Sequence, residues 1–88
     1  MEQTILVHKR IQEKHPEIFI DDVLEAWKSR IKCQVRTGPW PPQYVAIGFD
    51  KKGRALQMVA MYDPAKDELL IFHAMKATET VKKELGFD

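Results

Sequence analysis

From position 43 onward the chain alternates apolar runs with short polar turns. Tyr44-Val45-Ala46-Ile47-Gly48-Phe49 is the first run, and Asp50-Lys51-Lys52-Gly53 follows as a four-residue turn with glycine where a positive φ costs little. Arg54 to Tyr62 forms a second run, and Asp63-Pro64-Ala65-Lys66-Asp67 a second turn. Leu69-Leu70-Ile71-Phe72-His73-Ala74 is a third run, almost unbroken by polar residues. Apolar runs of this length joined by such turns predict an antiparallel meander over residues 43–76. A helix competes for so short a third run, but its flanking turns and β-branched and aromatic content favour a strand. Without polar alternation, that strand is expected at the centre of the sheet, covered on both faces.

The N-terminal half reads as helical. Thr4 to His15 carries a narrow stripe (Ile5, Leu6, Val7, Ile11), and Pro16 disfavours helical geometry at His15. A short strand at Ile5–Val7 followed by a helical turn is the alternative. The second helix is better marked. Asp22 is a plausible N-cap, with Glu25 three residues on, and Ile20, Val23, Leu24, Trp27 and Ile31 recur at helical spacing. Trp27 is expected in the core. Lys32 to Arg36 alternates loosely, as a short edge strand would. The loop Thr37-Gly38-Pro39-Trp40-Pro41-Pro42 excludes regular structure, and Trp40 is expected to fold back as a lid or else to stack on a partner. Thr78 can cap a last helix that buries Val81 and Leu85 and stops at Gly86. The fold class is α+β: two N-terminal helices, an antiparallel meander of three to four strands and a short C-terminal helix.

Composition narrows the picture. The 88 residues suffice for one domain, 1–88, and 44% hydrophobic with 31% charged residues is ordinary for a globular chain. No apolar run is long enough to span a membrane and no charged leader precedes one, so a cytoplasmic protein without membrane contact is expected. Cys33 is the only cysteine and reads as an inert, buried strand residue. The net charge of +1 conceals a segregation. Lys28, Arg30, Lys32, Arg36, Lys51, Lys52 and Arg54 face only Asp50 in the middle third, while both flanks are acidic. A basic middle suits a phosphate-rich partner, or else protects a solvated sheet edge. On a continuous helix His8 and His15 would share a face about 10 Å apart, too far for a metal pair. No metal-ligand spacing exists in the sequence.

The ordered motifs resemble a known group. Lys14-His15-Pro16-Glu17-Ile18 leading into Asp21-Asp22-Val23, the hairpin Tyr44-Val45-Ala46-Ile47-Gly48 with Gly53-Arg54-Ala55-Leu56, and Ile71-Phe72-His73-Ala74-Met75-Lys76-Ala77-Thr78 are similar, in order, to segments of BrnT toxins. Those belong to the RelE/ParE superfamily of bacterial type II toxin–antitoxin pairs. The similarity spans about three-quarters of the chain. Where the family usually carries arginines this chain has Gln43, Leu70 and Met75, and His73 replaces a serine.

The resemblance implies an endoribonuclease that works by attack of a ribose 2′-hydroxyl on the adjacent phosphate, with no metal or other cofactor. Such a site needs a base, an acid and cations for the phosphorane. His73, Arg54 and Lys76 are the catalytic candidates; Lys28, Arg30, Lys32, Arg36, Lys14, His15 and Trp40 are the RNA-binding candidates. Full strand pairing is expected to put Arg54 and Lys76 at opposite ends. Each has a structural alternative: a core histidine for His73, solvated surface for Arg54 and Lys76, a local cap for Lys14 and His15. The implied partners are a cognate antitoxin, a small DNA-binding protein, and RNA or the ribosome; a homodimer is possible. A non-catalytic binding module of the same fold, or a plain cytoplasmic domain, are the competing classes.

Overall fold

The computed structural model describes residues 3–36, 38 and 40–86; Thr37 and Pro39 of the expected loop lie outside them. The chain is α+β. In order it forms β1 (Thr4–Val7), α1 (Arg10–Lys14), α2 (Ile20–Lys28), β2 (Lys32–Arg36), β3 (Gln43–Phe49), β4 (Ala55–Asp63), β5 (Glu68–Lys76) and α3 (Glu79–Glu84). The sheet has five strands in the order β1-β5-β4-β3-β2. Strands β2 to β5 are the expected antiparallel meander, with the edge strand at Lys32–Arg36 included.

The sheet is larger than the three to four antiparallel strands expected and includes a parallel pair, and other expectations are corrected with it. The first helix does not run from Thr4 to His15; the alternative, a short strand followed by a helical turn, is what forms, with Thr4–Val7 paired in parallel to Glu68–Ile71 and Arg10–Lys14 helical. Three successive β-favouring residues, Ile5, Leu6 and Val7, alternate along this strand with half-buried odd positions, which a helical stripe would not do. His8 therefore lies outside the helix, and its Nδ1 accepts the Arg10 N–H at 3.0 Å. The middle strand is β4, not the third apolar run. That run, β5, is interior because β1 flanks it, and its second face is only half-buried.

The sheet has two unequal faces. On one, α2 buries Val23, Ala26 and Trp27 against Ala46, Leu56, Met58 and Ala60, and Ile11 of α1, Ile18 and Leu69, Ile71 and Ala74 of β5 join the cluster. On the other, α3 brings only Val81 and Leu85 onto Val45, Ile47 and Val59. A six-residue helix cannot cover a five-stranded face, and the uncovered part becomes the pocket below. Close packing of α2 depends on Gly48, where a Cβ would collide with the carbonyl oxygen of Ala26. At the start of α2 the cap is Phe19 rather than Asp22; Asp22 stands three residues in and accepts the Phe19 N–H at 2.9 Å. Thr78 caps α3 as expected, accepting the Val81 N–H at 3.3 Å.

β5 carries one residue too many. Val59 pairs with His73 and Ala60 with Ile71, which leaves Phe72 unpaired in a bulge. The bulge follows directly on the last bond from the β1 side, His8 N–H to the Ile71 carbonyl at 2.9 Å. Beyond that point β1 has left, and α1 packs beside β5 in its place.

Candidate functional site

The bulge, α1 and the short α3 together leave a hollow of about 390 Å³ on the α3 face of the sheet. Val45 and Val59 floor it, and His73 lines it, half-buried. Lys14 and His15 enter from the end of α1, Arg10 from its start, and Arg36 from the end of β2. Residues distant in sequence thus meet because β5 is interior and α1 docks on its open flank. Burial pushes the His73 imidazole below its ordinary value of 6.5, and repulsion from His15, Lys14 and Arg36 pushes it further in the same direction. Arg10, Lys14 and Arg36 line the pocket with no acidic residue among its lining, so an anion would be drawn into it.

Arg36 is partly engaged. Its Nε and Nη2 donate to the two carboxylate oxygens of Glu84 on α3 at 3.1 and 3.0 Å. The fork geometry is the one that binds phosphate, so Glu84 occupies Arg36 as a phosphate would. Gln57 closes one side of the pocket and is buried. Its Oε1 accepts both the N–H and the hydroxyl of Thr78, at 2.8 and 2.9 Å.

The other sequence candidates go elsewhere. Arg54 and Lys76 do not lie at opposite ends of the sheet: Lys76 pairs with Leu56, because an antiparallel hairpin sets the start of one strand beside the end of the next. Both nevertheless point away from His73. Leu56 is buried under the helices, so its partner Lys76 shares that face, at the exposed end. Arg54 is a structural staple. Its Nε donates to Asp50 at 2.7 Å, Nη2 to Asp22 at 3.2 Å and Nη1 to the Glu17 carbonyl at 3.0 Å, tying the β3–β4 turn to the start of α2. Burial works to raise the Asp50 carboxyl, but hydrogen bonds from Arg54 and from the Lys52 N–H outweigh it and hold the group below 3.8.

Lys28, Arg30 and Lys32 are exposed and line no part of the pocket. Arg30 instead lies over the Trp27 ring at 4.7 Å and donates to the Trp27 carbonyl. Trp27 is in the core as expected. Trp40 is not a lid: it is 83% exposed, beside a separate, mainly apolar hollow with Leu6, Met61 and Leu70. Cys33 is exposed rather than buried, because β2 is the sheet edge and no helix covers it there.

Arg10, Gln43 and Gln57 are the pocket residues that sequence reading missed. Gln43 and Gln57 alternate in phase with Val45 and Val59, which was a usable signal once the meander was drawn. Among the described residues no cluster of three or more potential metal ligands comes together, and no helix is long and apolar enough to cross a membrane. Compared with known proteins, the chain matches no family model, no curated protein and no solved structure.

Proposed function

We propose that the chain is a BrnT-like toxin of a type II toxin–antitoxin pair and that it cleaves RNA without a metal cofactor. One observation carries the reading: Lys14, His15 and Arg36 converge on His73 in a single pocket. A neutral His73 takes the proton from a ribose 2′-hydroxyl. The freed oxygen attacks the adjacent phosphorus, and Lys14 and Arg36 hold the charge that builds on the non-bridging oxygens. His15, at the end of α1 in the same pocket, gives a proton to the departing 5′-oxygen. The products are a 2′,3′-cyclic phosphate and a 5′-hydroxyl end. Arg54 and Lys76, which the resemblance would recruit, take no part in this scheme. The antitoxin would neutralise the protein by covering the cationic pocket.

Induction of the chain in a susceptible bacterium, with growth and RNA integrity followed together, tests the proposal. Growth arrest with RNA cleavage is expected, and His73→Ala should lower cleavage by purified protein about 10²- to 10⁴-fold, the usual worth of a general base. Arrest with intact RNA would replace this reading by a non-catalytic module that occupies RNA, the ribosome or a protein. The consumption of Arg54 in structural ion pairs is the observation that favours this second reading.

A further inference from the structure

We propose that Gln57 is a substrate-contacting residue, its side-chain NH₂ donating to a non-bridging oxygen of the phosphodiester held beside His73. This deepens the reading of the pocket as an RNA site and rests on it. Gln57 is only 7% exposed, yet it lines the pocket. Its orientation is forced, since only the oxygen end of a side-chain amide accepts a hydrogen bond and the Thr78 N–H lies 2.8 Å from it. The Thr78 hydroxyl donates to the same oxygen at 2.9 Å while accepting from Val81 N–H. The acceptor end of the amide is thereby turned toward α3 and occupied.

Among the described residues the donor end has no partner. No buried side-chain polar atom is left unsatisfied among the described residues, so Nε2 must open to the pocket. Gln57 and His73 point to the same face, from adjacent strands and one diagonal position apart, since Gln57 pairs with Met75 and Val59 with His73. The pocket therefore offers a fixed, neutral, donor-only group next to an imidazole and among cations. A group that only accepts hydrogen bonds, and that carries negative charge, matches this arrangement: a phosphate oxygen. Held rigid before substrate arrives, the amide loses little freedom on binding.

Titration of isotope-labelled protein with inorganic phosphate, and of an oligoribonucleotide made uncleavable by 2′-deoxy substitution, tests the assignment. The Gln57 side-chain NH₂ signals should shift with phosphate and not with chloride at equal ionic strength. Gln57→Glu keeps an oxygen for both Thr78 bonds but presents a carboxylate to the phosphate, and should weaken oligonucleotide binding at least tenfold. Unchanged Thr78 and Val81 amide signals would show that α3 is still capped. If phosphate moves the His73 and His15 imidazole signals but not Gln57, this assignment falls and the cationic pocket stands. If an uncharged nucleoside moves the Gln57 signals, the amide reads a base and the proposal is wrong. If neither anion nor oligonucleotide moves any of these signals, the RNA reading falls as well.

Discussion

His73 and Arg54 show how little a residue's type says about its task until its neighbours are known. Both are polar residues near strand ends in an apolar meander. Arg54 is held by two carboxylates and a carbonyl, so its guanidinium is committed to the fold. Arg54→Gln should therefore lower the melting temperature while cleavage per folded molecule stays near wild type, measured by thermal unfolding beside an activity assay. His73 behaves differently with pH. Its folded pKa lies below 6.5, so as pH falls through that value the unfolded chain gains a proton that the folded chain resists. Folding stability is full above the ordinary imidazole range and declines as acid is added through it. With His73 as the proposed general base, the same direction predicts an acid limb of kcat/KM below 6.5. A pH–rate profile whose acid limb falls at or above that value would remove His73 as the base.

At the level of elements, α2 and β3 meet at Gly48 with no strand side chain between their backbones. Gly48→Ala would force the Ala26 carbonyl and the α2 backbone away from the sheet, opening the interface that holds Trp27 and Val23. Overpacking against backbone should cost about 3 kcal/mol, read as a shift of the denaturant midpoint. The meander and α2 were legible in the sequence because each has its own periodicity and its own turn chemistry: Gly53 and Asp67 sit at positive φ where their turns require it. β1 was legible only as the alternative to a longer helix, because four residues are too few to show a period and its pairing is with a strand about sixty residues away. The site was half legible. Lys14, His15, Arg36 and His73 could be named by chemistry, but their convergence depends on a parallel β1–β5 pair that no local pattern announces. Lys28, Arg30 and Lys32 looked equivalent to Arg36 by charge alone, and only their places in the fold, at the end of α2, after it and at the start of β2, separate them from the end of β2.

Across the whole molecule, the basic middle of the chain does not form one phosphate surface. Its cations divide between the β3–β4 turn, the end of α2 and one corner of the pocket, whereas the pocket draws Arg10 and Lys14 from the acidic N-terminal third. The electrostatic share of RNA binding should then be modest. Two to three phosphates neutralised on a single strand give a plot of log affinity against log salt with a slope of about −1.4 to −2.1. A slope of about −4 or steeper, measured by fluorescence anisotropy over a salt series, would mean that the exposed Lys28, Lys32, Lys51 and Lys52 join the interface.

Phe72 has one more implication. Because it is the unpaired residue, a chain lacking it would keep Ile71 opposite Ala60, His73 opposite Val59 and every rung on either side. The ladder is indifferent to its presence, so nothing in strand pairing requires β5 to be this long. What the extra residue supplies is a change of course just where β1 ends and α1 must fit. Chain length at this point can vary while the pairing of the remainder of the sheet stays as it is.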